Sequence, residues 1–216
     1  MDIEAARQQM IDQQVRAWEV LDPRVLDVLG QVPRERYVPP AFRQLAFADC
    51  AIPLPAGQAM LAPKVHGRIL QALDVAAGES VLEVGAGSGY LSACLAALGG
   101  TVTSLELWPE LALLASANLR AAGYPAVAVI EADATTWVPA QCYDVVVLTA
   151  SLPEYDRRYE NWLNTAGRLF VVVGAGEPMT AQLVTRTEAG GVGRLDLFET
   201  VVDPLTNAAR PSRFVF

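Results

Sequence analysis

A glycine-rich segment followed by two spaced acidic residues has the residue types that bind a nucleotide-like ligand. The segment runs Glu83-Val-Gly-Ala-Gly-Ser-Gly89, between an apolar run and a helical pattern. Glycines allow a tight turn and a close approach of the backbone to a ligand, and the following helix offers free N–H groups. Glu106 ends the next apolar run, and Asp133 ends the one after it. This order predicts a ligand site at the carboxyl ends of successive strands; the alternative is that the glycines only permit a tight turn.

The spacing of these residues favours one ligand over another. A carboxylate at Glu106 would accept hydrogen bonds from ribose hydroxyls, which suits both NAD and S-adenosylmethionine. The glycines are spaced G-x-G-x-G rather than G-x-G-x-x-G, Glu83 could face a cationic sulfonium, and Asp133 could reach an adenine amino group. These details favour S-adenosylmethionine over NAD. The alternative interpretations are that Glu106 is an ordinary surface acid and that Asp133 caps a helix. The residues predicted to bind it are Glu83, Gly85, Ala86, Gly87, Gly89, Tyr90, Glu106, Leu107, Asp133 and Ala134.

The predicted ligand site lies within a region of alternating strands and helices. Apolar runs predict strands at residues 81–84, 101–107, 126–131, 143–149 and 168–174, with helices at 90–98, 109–122 and around 154–163. This alternation predicts an α/β fold whose mostly parallel sheet has helices on both faces. Residues 182–187 and 194–202 flank a Gly-Gly pair and predict an antiparallel hairpin at the sheet edge, and residues 213–216 could add a last strand.

The N-terminal third has a different, helical pattern. Ile3, Met10, Val15 and Trp18 form an apolar stripe, and Asp22 before a proline is a typical helix start. Two prolines predict an irregular connection at residues 52–58, and a helix is predicted at 63–73. We therefore expect a helical segment over residues 1–75 and a ligand-binding core over residues 76–216.

Composition excludes several classes of protein. The chain has 216 residues, a net charge of −8, 16 Lys and Arg, three Cys and one His. Binding nucleic acid requires clustered basic side chains. The net negative charge and the small number of Lys and Arg residues therefore predict no nucleic-acid partner. A metal site built on histidines and a disulfide framework are not expected either. No apolar run reaches the roughly 18 residues of a transmembrane helix. The N-terminus lacks the basic start of a signal peptide, so we expect a cytoplasmic protein without membrane contact.

The motif order resembles that of class I S-adenosylmethionine-dependent methyltransferases. The whole chain resembles the protein-L-isoaspartate O-methyltransferase family, and the block Val32-Pro-Arg-Glu-Arg-Tyr-Val-Pro39 is specific to it. Further matches lie at residues 10–15, 46–49, 57–58, 81–90, 167–169 and 213–215. The resemblance implies a Rossmann-like, seven-stranded methyltransferase sheet with an N-terminal helical extension and no metal. It also implies methylation of a carboxylate on a small molecule, peptide or protein.

One loop departs from the family pattern. The family reads Gly-Gln-Thr-Ile-Ser, and this chain reads Gly57-Gln-Ala-Met-Leu61, so both hydroxyls are absent. Residues 57–61 are called the acceptor loop below. The change predicts weak isoaspartyl repair and a more apolar acceptor, and the alternatives are a non-catalytic S-adenosylmethionine-binding protein and an NAD-dependent oxidoreductase. Candidate catalytic residues are Asp49, Gln58, Leu61 and Lys64, whereas His66 is expected to be a partly exposed helix residue without a catalytic role.

Overall fold

The computed structural model describes residues 2–209, so the strand predicted at residues 213–216 lies outside the described residues. Within that range, seven strands form one sheet in the order β5-β4-β3-β6-β7-β8-β9, and two short strands, β1 and β2, form a separate antiparallel pair. The strands are β1 (Ile52–Pro53), β2 (Ala59–Met60), β3 (Ser80–Val84), β4 (Thr101–Glu106), β5 (Ala128–Glu131), β6 (Tyr143–Leu152), β7 (Leu163–Val173), β8 (Met179–Arg186) and β9 (Val192–Thr200). Strands β3 to β7 pair in parallel, and β8 and β9 form the predicted antiparallel edge hairpin.

The helices begin where the sequence offers caps or prolines. They are α1 (Ile3–Met10), α2 (Pro23–Gln31), α3 (Pro63–Leu73), α4 (Tyr90–Ala97) and α5 (Pro109–Ala121). The side chains of Asp2 and Asp22 accept backbone N–H groups of the first turns of α1 and α2. Helix α1 continues into a π-helical turn (Ile11–Val15) and a 3₁₀ turn (Arg16–Trp18), so its apolar stripe bends around the core.

Two apolar clusters cover the two faces of the sheet. Adjacent residues of β6 alternate between them, because successive side chains of a strand point to opposite faces. Val145 belongs to the first cluster, with residues of α1 to α5, and Val146 to the second. The second face is covered by the 3₁₀ helix Arg157–Trp162 and by segments around Trp137 and Leu205. The first cluster contains residues from both sides of residue 75, and the two-part division of the chain stays a prediction.

Several element boundaries differ from the sequence-based ones, and two of the differences shape the carboxyl edge of the sheet. The helical stretch around residues 154–163 is a single 3₁₀ helix, Arg157–Trp162, capped by the side chain of Asp156. It is short because β6 continues to Leu152 and β7 already begins at Leu163. Strand β9 ends at Thr200, two residues early, and the chain then crosses the carboxyl end of β6. Among residues 2–209, no helix combines the length and the apolar character needed to span a bilayer.

Candidate active site

The glycine-rich segment forms a turn that other side chains could not adopt without strain. Gly85, Gly87 and Gly89 have φ angles of +94°, +53° and +83°, in the left-handed region. A Cβ atom on Gly85 would lie 2.3 Å from the hydroxyl of Thr149, and one on Gly89 would lie 3.1 Å from the carbonyl oxygen of Ala115. The turn therefore combines a half-buried backbone at Gly87 with close packing at the two flanking glycines.

Glu106 connects the glycine turn to the end of β4. Its Oε2 accepts the N–H of Gly87 at 2.8 Å, and its Oε1 accepts the N–H of Trp108 at 3.1 Å. The residue is 5% exposed, yet it lines a cavity at the carboxyl ends of the strands. Since each carboxylate oxygen has two lone pairs, both can still accept a hydroxyl donor from a ligand.

Asp133 lies at the same edge of the sheet, after β5. Its Oδ1 accepts the N–H and the hydroxyl of Thr135 at 2.8 and 2.7 Å, and its Oδ2 accepts Nδ2 of Asn207 at 2.8 Å. Burial raises the pKa of Asp133, but the hydrogen bonds from Thr135 and Asn207 outweigh burial and hold it below its ordinary value. Asp133 is thus a fixed carboxylate that also caps its own turn.

A cavity of about 200 Å³ brings most of the predicted site together. Its lining includes both the acids with their neighbours and residues of the acceptor loop. The predicted residues that line it are Gln58, Leu61, Gly85, Gly87, Glu106, Leu107, Asp133 and Ala134. No Lys, Arg or His side chain of the described residues lines this cavity.

Four predicted ligand residues do not line the larger cavity. Glu83, Ala86 and Tyr90 line a second cavity of about 30 Å³ rather than the larger one. The carboxylate of Glu83 is buried and accepts hydrogen bonds from the hydroxyls of Ser92 and Ser104. Burial raises the pKa of Glu83 to about 7, although the two hydroxyls act in the opposite direction. The second cavity shares the glycine turn and the acceptor loop with the larger one, whereas Gly89 lines neither.

The acceptor loop is a short hairpin with an apolar inner wall. Ile52 pairs with Met60 and Pro53 with Ala59, and the N–H of Leu54 donates to the carbonyl of Gln58 at 2.8 Å. The side-chain Nε2 of Gln58 donates to the carbonyl of Ala56, which lies in the turn of the same hairpin. No hydroxyl side chain occurs in residues 57–61, so the loop offers a ligand only the Gln58 amide and its backbone groups.

A fully buried arginine lies behind this loop. Nη2 of Arg34 donates to the carbonyl of Leu61 at 2.7 Å, Nε to the carbonyl of Ala46 at 2.9 Å, and Nη1 to Nδ1 of His66 at 3.1 Å. His66 is buried and not partly exposed as predicted, because α3 packs it against Arg34. Burial, and then the Arg34 charge, lower the pKa of His66 well below its ordinary value, so the ring is neutral and accepts from Arg34. No carboxylate of residues 2–209 forms an ion pair with Arg34. Its burial was not evident from the sequence, because arginine is rarely fully buried.

Two catalytic candidates from the sequence lie outside the cavity. Nζ of Lys64 lies 2.7 Å from Oδ2 of Asp49 and 4.3 Å from the centre of the Trp18 ring. Neither Asp49 nor Lys64 lines the larger cavity, in contrast to Gln58 and Leu61. The pair joins the start of α3 to the chain before β1, and a catalytic role for Asp49 or Lys64 stays a prediction.

Residues 201–206, called the strap below, form a wall that the sequence did not reveal. The N–H of Ser151 donates to the backbone carbonyl of Asp203 at 2.9 Å, and the N–H of Leu205 donates to the carbonyl of Ser151 at 2.8 Å. The Ser151 hydroxyl donates to the carbonyl of Val202 at 2.9 Å. Val201 to Thr206 all line the larger cavity. The Asp203-Pro204 pair was the available signal that strand β9 stops before this point. Residues 2–209 contain no cluster of three His, Cys, Asp or Glu side chains suited to a metal ion.

The comparisons with known proteins agree in the family they indicate. The family model described as protein-L-isoaspartate(D-aspartate) O-methyltransferase matches residues 5–209. A protein-L-isoaspartate O-methyltransferase of Koribacter versatilis is 36% identical over 92% of this chain and 90% of its own length. A protein with the same name from Aeropyrum pernix is 37% identical over 93% of this chain and 79% of its own length.

Solved structures give the same fold. A Plasmodium falciparum structure assigned to the protein-L-isoaspartate O-methyltransferases, in complex with S-adenosyl-L-homocysteine, superposes with a TM-score of 0.79 at 18% identity and covers 93% of this chain and 98% of its own. At that identity the likeness concerns the fold alone. The sequence-based prediction of an S-adenosylmethionine-dependent methyltransferase is confirmed by the family match, which is why the oxidoreductase alternative is set aside. The extent of the match and the identities of 36% and 37% show that this chain belongs to the protein-L-isoaspartate(D-aspartate) O-methyltransferase family.

Proposed function

We propose that this chain methylates a carboxylate oxygen of its acceptor, with S-adenosylmethionine as donor, and that its ordinary isoaspartyl repair activity is weak. The single observation behind this proposal is the larger cavity. The same cavity is lined by the fixed carboxylates Glu106 and Asp133 and by the hydroxyl-free acceptor loop.

The residues of the cavity fit an adenosyl group. Glu106 keeps lone pairs for ribose hydroxyls while the N–H groups of Gly87 and Trp108 hold it in place. Asp133 keeps its charge, since its hydrogen bonds lower its pKa, and could accept from an amino group of adenine. A positive ligand also suits a cavity whose ionisable side chains are all acids.

The chemistry requires little of the protein beyond alignment. The donor supplies a methyl group on a sulfonium sulfur: the C–S bond breaks with its electron pair staying on sulfur, and an acceptor carboxylate oxygen forms the new C–O bond. The acceptor loses its negative charge as it becomes a methyl ester, and no proton moves. A carboxylate is already ionised near pH 7, so no general base is needed. Cavity walls that hold the reacting atoms in line and exclude water supply the rate.

Weak repair activity follows from the acceptor loop. Ala59 and Leu61 stand where the family pattern has Thr and Ser, so the loop provides no hydroxyl donor for the acceptor carboxylate. Losing one hydrogen bond to a charged group costs about 1.5–3 kcal/mol. That corresponds to roughly a tenfold to two-hundredfold loss of rate if the bond acts in the transition state.

Two features of the chain partly offset this loss. The Gln58 amide lines the cavity and has a second N–H beyond the one bonded within the loop. The Arg34 guanidinium lies directly behind the carbonyl of Leu61 and has no acidic partner among residues 2–209, so its field favours an anion at the loop. Both features support a carboxylate acceptor whose binding differs from that of the family pattern.

The test is methyl transfer from labelled S-adenosylmethionine to an isoaspartyl peptide and to a panel of apolar carboxylic acids. Methyl esters hydrolyse in mild alkali, so base-labile label identifies a carboxylate product. We expect slow labelling of the peptide and faster labelling of at least one apolar acid. Base-stable label, or rapid turnover of the isoaspartyl peptide, would contradict the proposal.

A further inference from the structure

We propose that His66 is a ligand-binding residue whose Nε2–H binds the α-carboxylate of S-adenosylmethionine. The site is the second cavity, which is lined by His66, by the glycine turn and by the acceptor loop. This inference goes beyond the proposed function, because it concerns the amino-acid end of the methyl donor and does not depend on which acceptor is methylated.

The hydrogen bond from Arg34 determines which ring nitrogen of His66 carries the proton. A guanidinium N–H can only donate, so Nδ1 of His66, which lies 3.1 Å from Nη1 of Arg34, must accept. Burial, and then the charge of Arg34, keep the pKa of His66 low and the ring neutral. The single proton of the neutral ring therefore lies on Nε2, which is a hydrogen-bond donor.

Two polar atoms are left free at the second cavity. No hydrogen bond joins Nε2 of His66 to a group of residues 2–209, although the carbonyls of Leu61 and Ala62 lie near the ring. The Oε1 of Glu83 likewise has no partner in this range, because Ser92 and Ser104 both donate to Oε2. Neither free atom is sealed within the protein, and both residues line the second cavity, so this is the space that the two atoms face.

The second cavity offers the two groups that an α-amino acid requires. Its volume of about 30 Å³ is sufficient for about two water-sized groups, such as an ammonium nitrogen and one carboxylate oxygen. Oε1 of Glu83 can accept from the ammonium, and Nε2–H of His66 can donate to the carboxylate. Among residues 2–209, His66 is the only residue lining this cavity whose side chain contains nitrogen.

The surroundings of His66 favour a carboxylate at this point in spite of Glu83. Tyr90 and Leu91, the first residues of α4, line the cavity, and the first N–H groups of a helix have no acceptor within it and carry partial positive charge. The charge of Arg34 lies directly behind the ring and polarises it, which strengthens Nε2–H as a donor.

The position of the second cavity suits the amino-acid end of a ligand whose ribose is held by Glu106. The carboxylate of Glu106 accepts the N–H of Gly87, and Gly87 lines both cavities. Gly85 and Leu61 also line both. A ligand with its ribose at Glu106 can therefore extend its amino-acid chain past the glycine turn to His66.

The test compares the binding of three compounds by calorimetry, so that no turnover is required. The compounds are S-adenosyl-L-homocysteine, its decarboxylated analogue, which lacks only the α-carboxylate, and methylthioadenosine, which lacks the whole amino-acid end. We expect the natural chain to bind S-adenosyl-L-homocysteine roughly tenfold to a hundredfold more tightly than the decarboxylated analogue, as for one hydrogen bond to a charged group.

Two variants of His66 separate its hydrogen bond to the ligand from its packing. In His66→Asn the amide oxygen can take the place of Nδ1 and accept from Arg34, but no N–H remains at the position of Nε2. This variant should weaken S-adenosyl-L-homocysteine roughly tenfold or more and change the affinity for the other two compounds less than about twofold. His66→Gln places an N–H near the position of Nε2 and should restore much of the preference.

Glu106→Ala is the contrasting variant. All three compounds carry the same ribose, so this change should weaken them by similar factors and leave the preference for the α-carboxylate in place. Thermal melting of each variant checks that the fold is retained, and the ratio of two affinities measured on one protein sample does not depend on the folded fraction.

Three results would overturn the inference. They are equal affinity of the natural chain for S-adenosyl-L-homocysteine and its decarboxylated analogue, a preference that survives in His66→Asn, and an equal loss for all three compounds in that variant. Failure of the proposed acceptor has a different signature, because methyl transfer to carboxylates would be absent while these binding ratios stay as expected.

Discussion

The ammonium of Lys64 lies 2.7 Å from the carboxylate of Asp49. The contact engages the chain's single lysine with an acid, and we predict that Lys64 does not substitute for the missing loop hydroxyls. The acceptor loop then offers an acceptor carboxylate the Gln58 amide, its own backbone and the field of Arg34.

Lys64→Met should therefore have little effect on acceptor binding. We expect less than about a twofold change in KM for an isoaspartyl peptide and a loss of stability below about 1 kcal/mol, as for most partly exposed ion pairs. Steady-state kinetics and urea unfolding would measure the two quantities, with Asp49→Asn as the matched partner variant. A tenfold rise in KM in Lys64→Met alone would return Lys64 to the acceptor site.

Glu106→Ala should weaken donor binding. Without the carboxylate, the N–H groups of Gly87 and Trp108 have no acceptor, and neither do the ligand's hydroxyls. We expect the free energy of donor binding to become less favourable by about 1–3 kcal/mol. Calorimetry with S-adenosyl-L-homocysteine measures this change directly. Glu110→Ala is the control, because Glu110 is exposed on the first turn of α5 and does not line the cavity. Equal effects of the two variants would argue against a ligand role for Glu106.

Glu83 should make the stability of the fold depend on pH. Burial raises its pKa from 4.5 to about 7, so between these values the folded state keeps a proton that the unfolded state releases. The stability contributed by the neutral carboxyl is fully present below pH 4.5 and is lost as pH rises through 7. With about 1.4 kcal/mol for each pH unit between the two pKa values, the total loss is on the order of 3 kcal/mol.

The measurement for Glu83 is urea unfolding at pH 5 and pH 8 in the natural chain and in Glu83→Gln. The glutamine carbonyl can still accept from Ser92 and Ser104, but it does not ionise. We expect the natural chain to lose stability relative to the variant as the pH rises. Parallel pH profiles for the two proteins would show that Glu83 does not titrate in this range.

Arg34→Met should destabilise the fold through the acceptor loop. The change leaves the buried carbonyl of Ala46 and the half-buried carbonyl of Leu61 without donors, at about 1–3 kcal/mol for a buried unsatisfied group and less for a half-buried one. Arg36→Met is a close control, since Arg36 lies in the same 3₁₀ turn but is exposed. Urea unfolding of both variants gives the comparison. Similar free energies of unfolding would mean that the Arg34 hydrogen bonds contribute little.

The sheet and the glycine turn were predictable because their signals are local. Apolar runs, the glycine spacing and the acids that end β4 and β5 each follow from neighbouring residues, and the structure has them in the expected order. The edge hairpin was likewise indicated by its Gly-Gly turn.

The parts that the sequence did not reveal depend on distant contacts. The bond between Asn207 and Asp133 joins residues that are 74 positions apart, and the contact between Arg34 and Leu61 spans 27 positions. Asp203 faces the cavity only because Ser151 holds the strap across the end of β6. No local pattern of residue types encodes these placements.

The central claim is that the acceptor loop lacks a hydroxyl needed for ordinary isoaspartyl repair. The most direct measurement compares kcat/KM of the natural chain on an isoaspartyl peptide with that of the double variant Ala59→Thr, Leu61→Ser, each saturated with S-adenosylmethionine. We predict a low value for the natural chain and a rise of roughly tenfold to two-hundredfold in the double variant, because one hydrogen bond to the acceptor carboxylate is restored. Robust activity in the natural chain that is unchanged in the double variant would contradict this account.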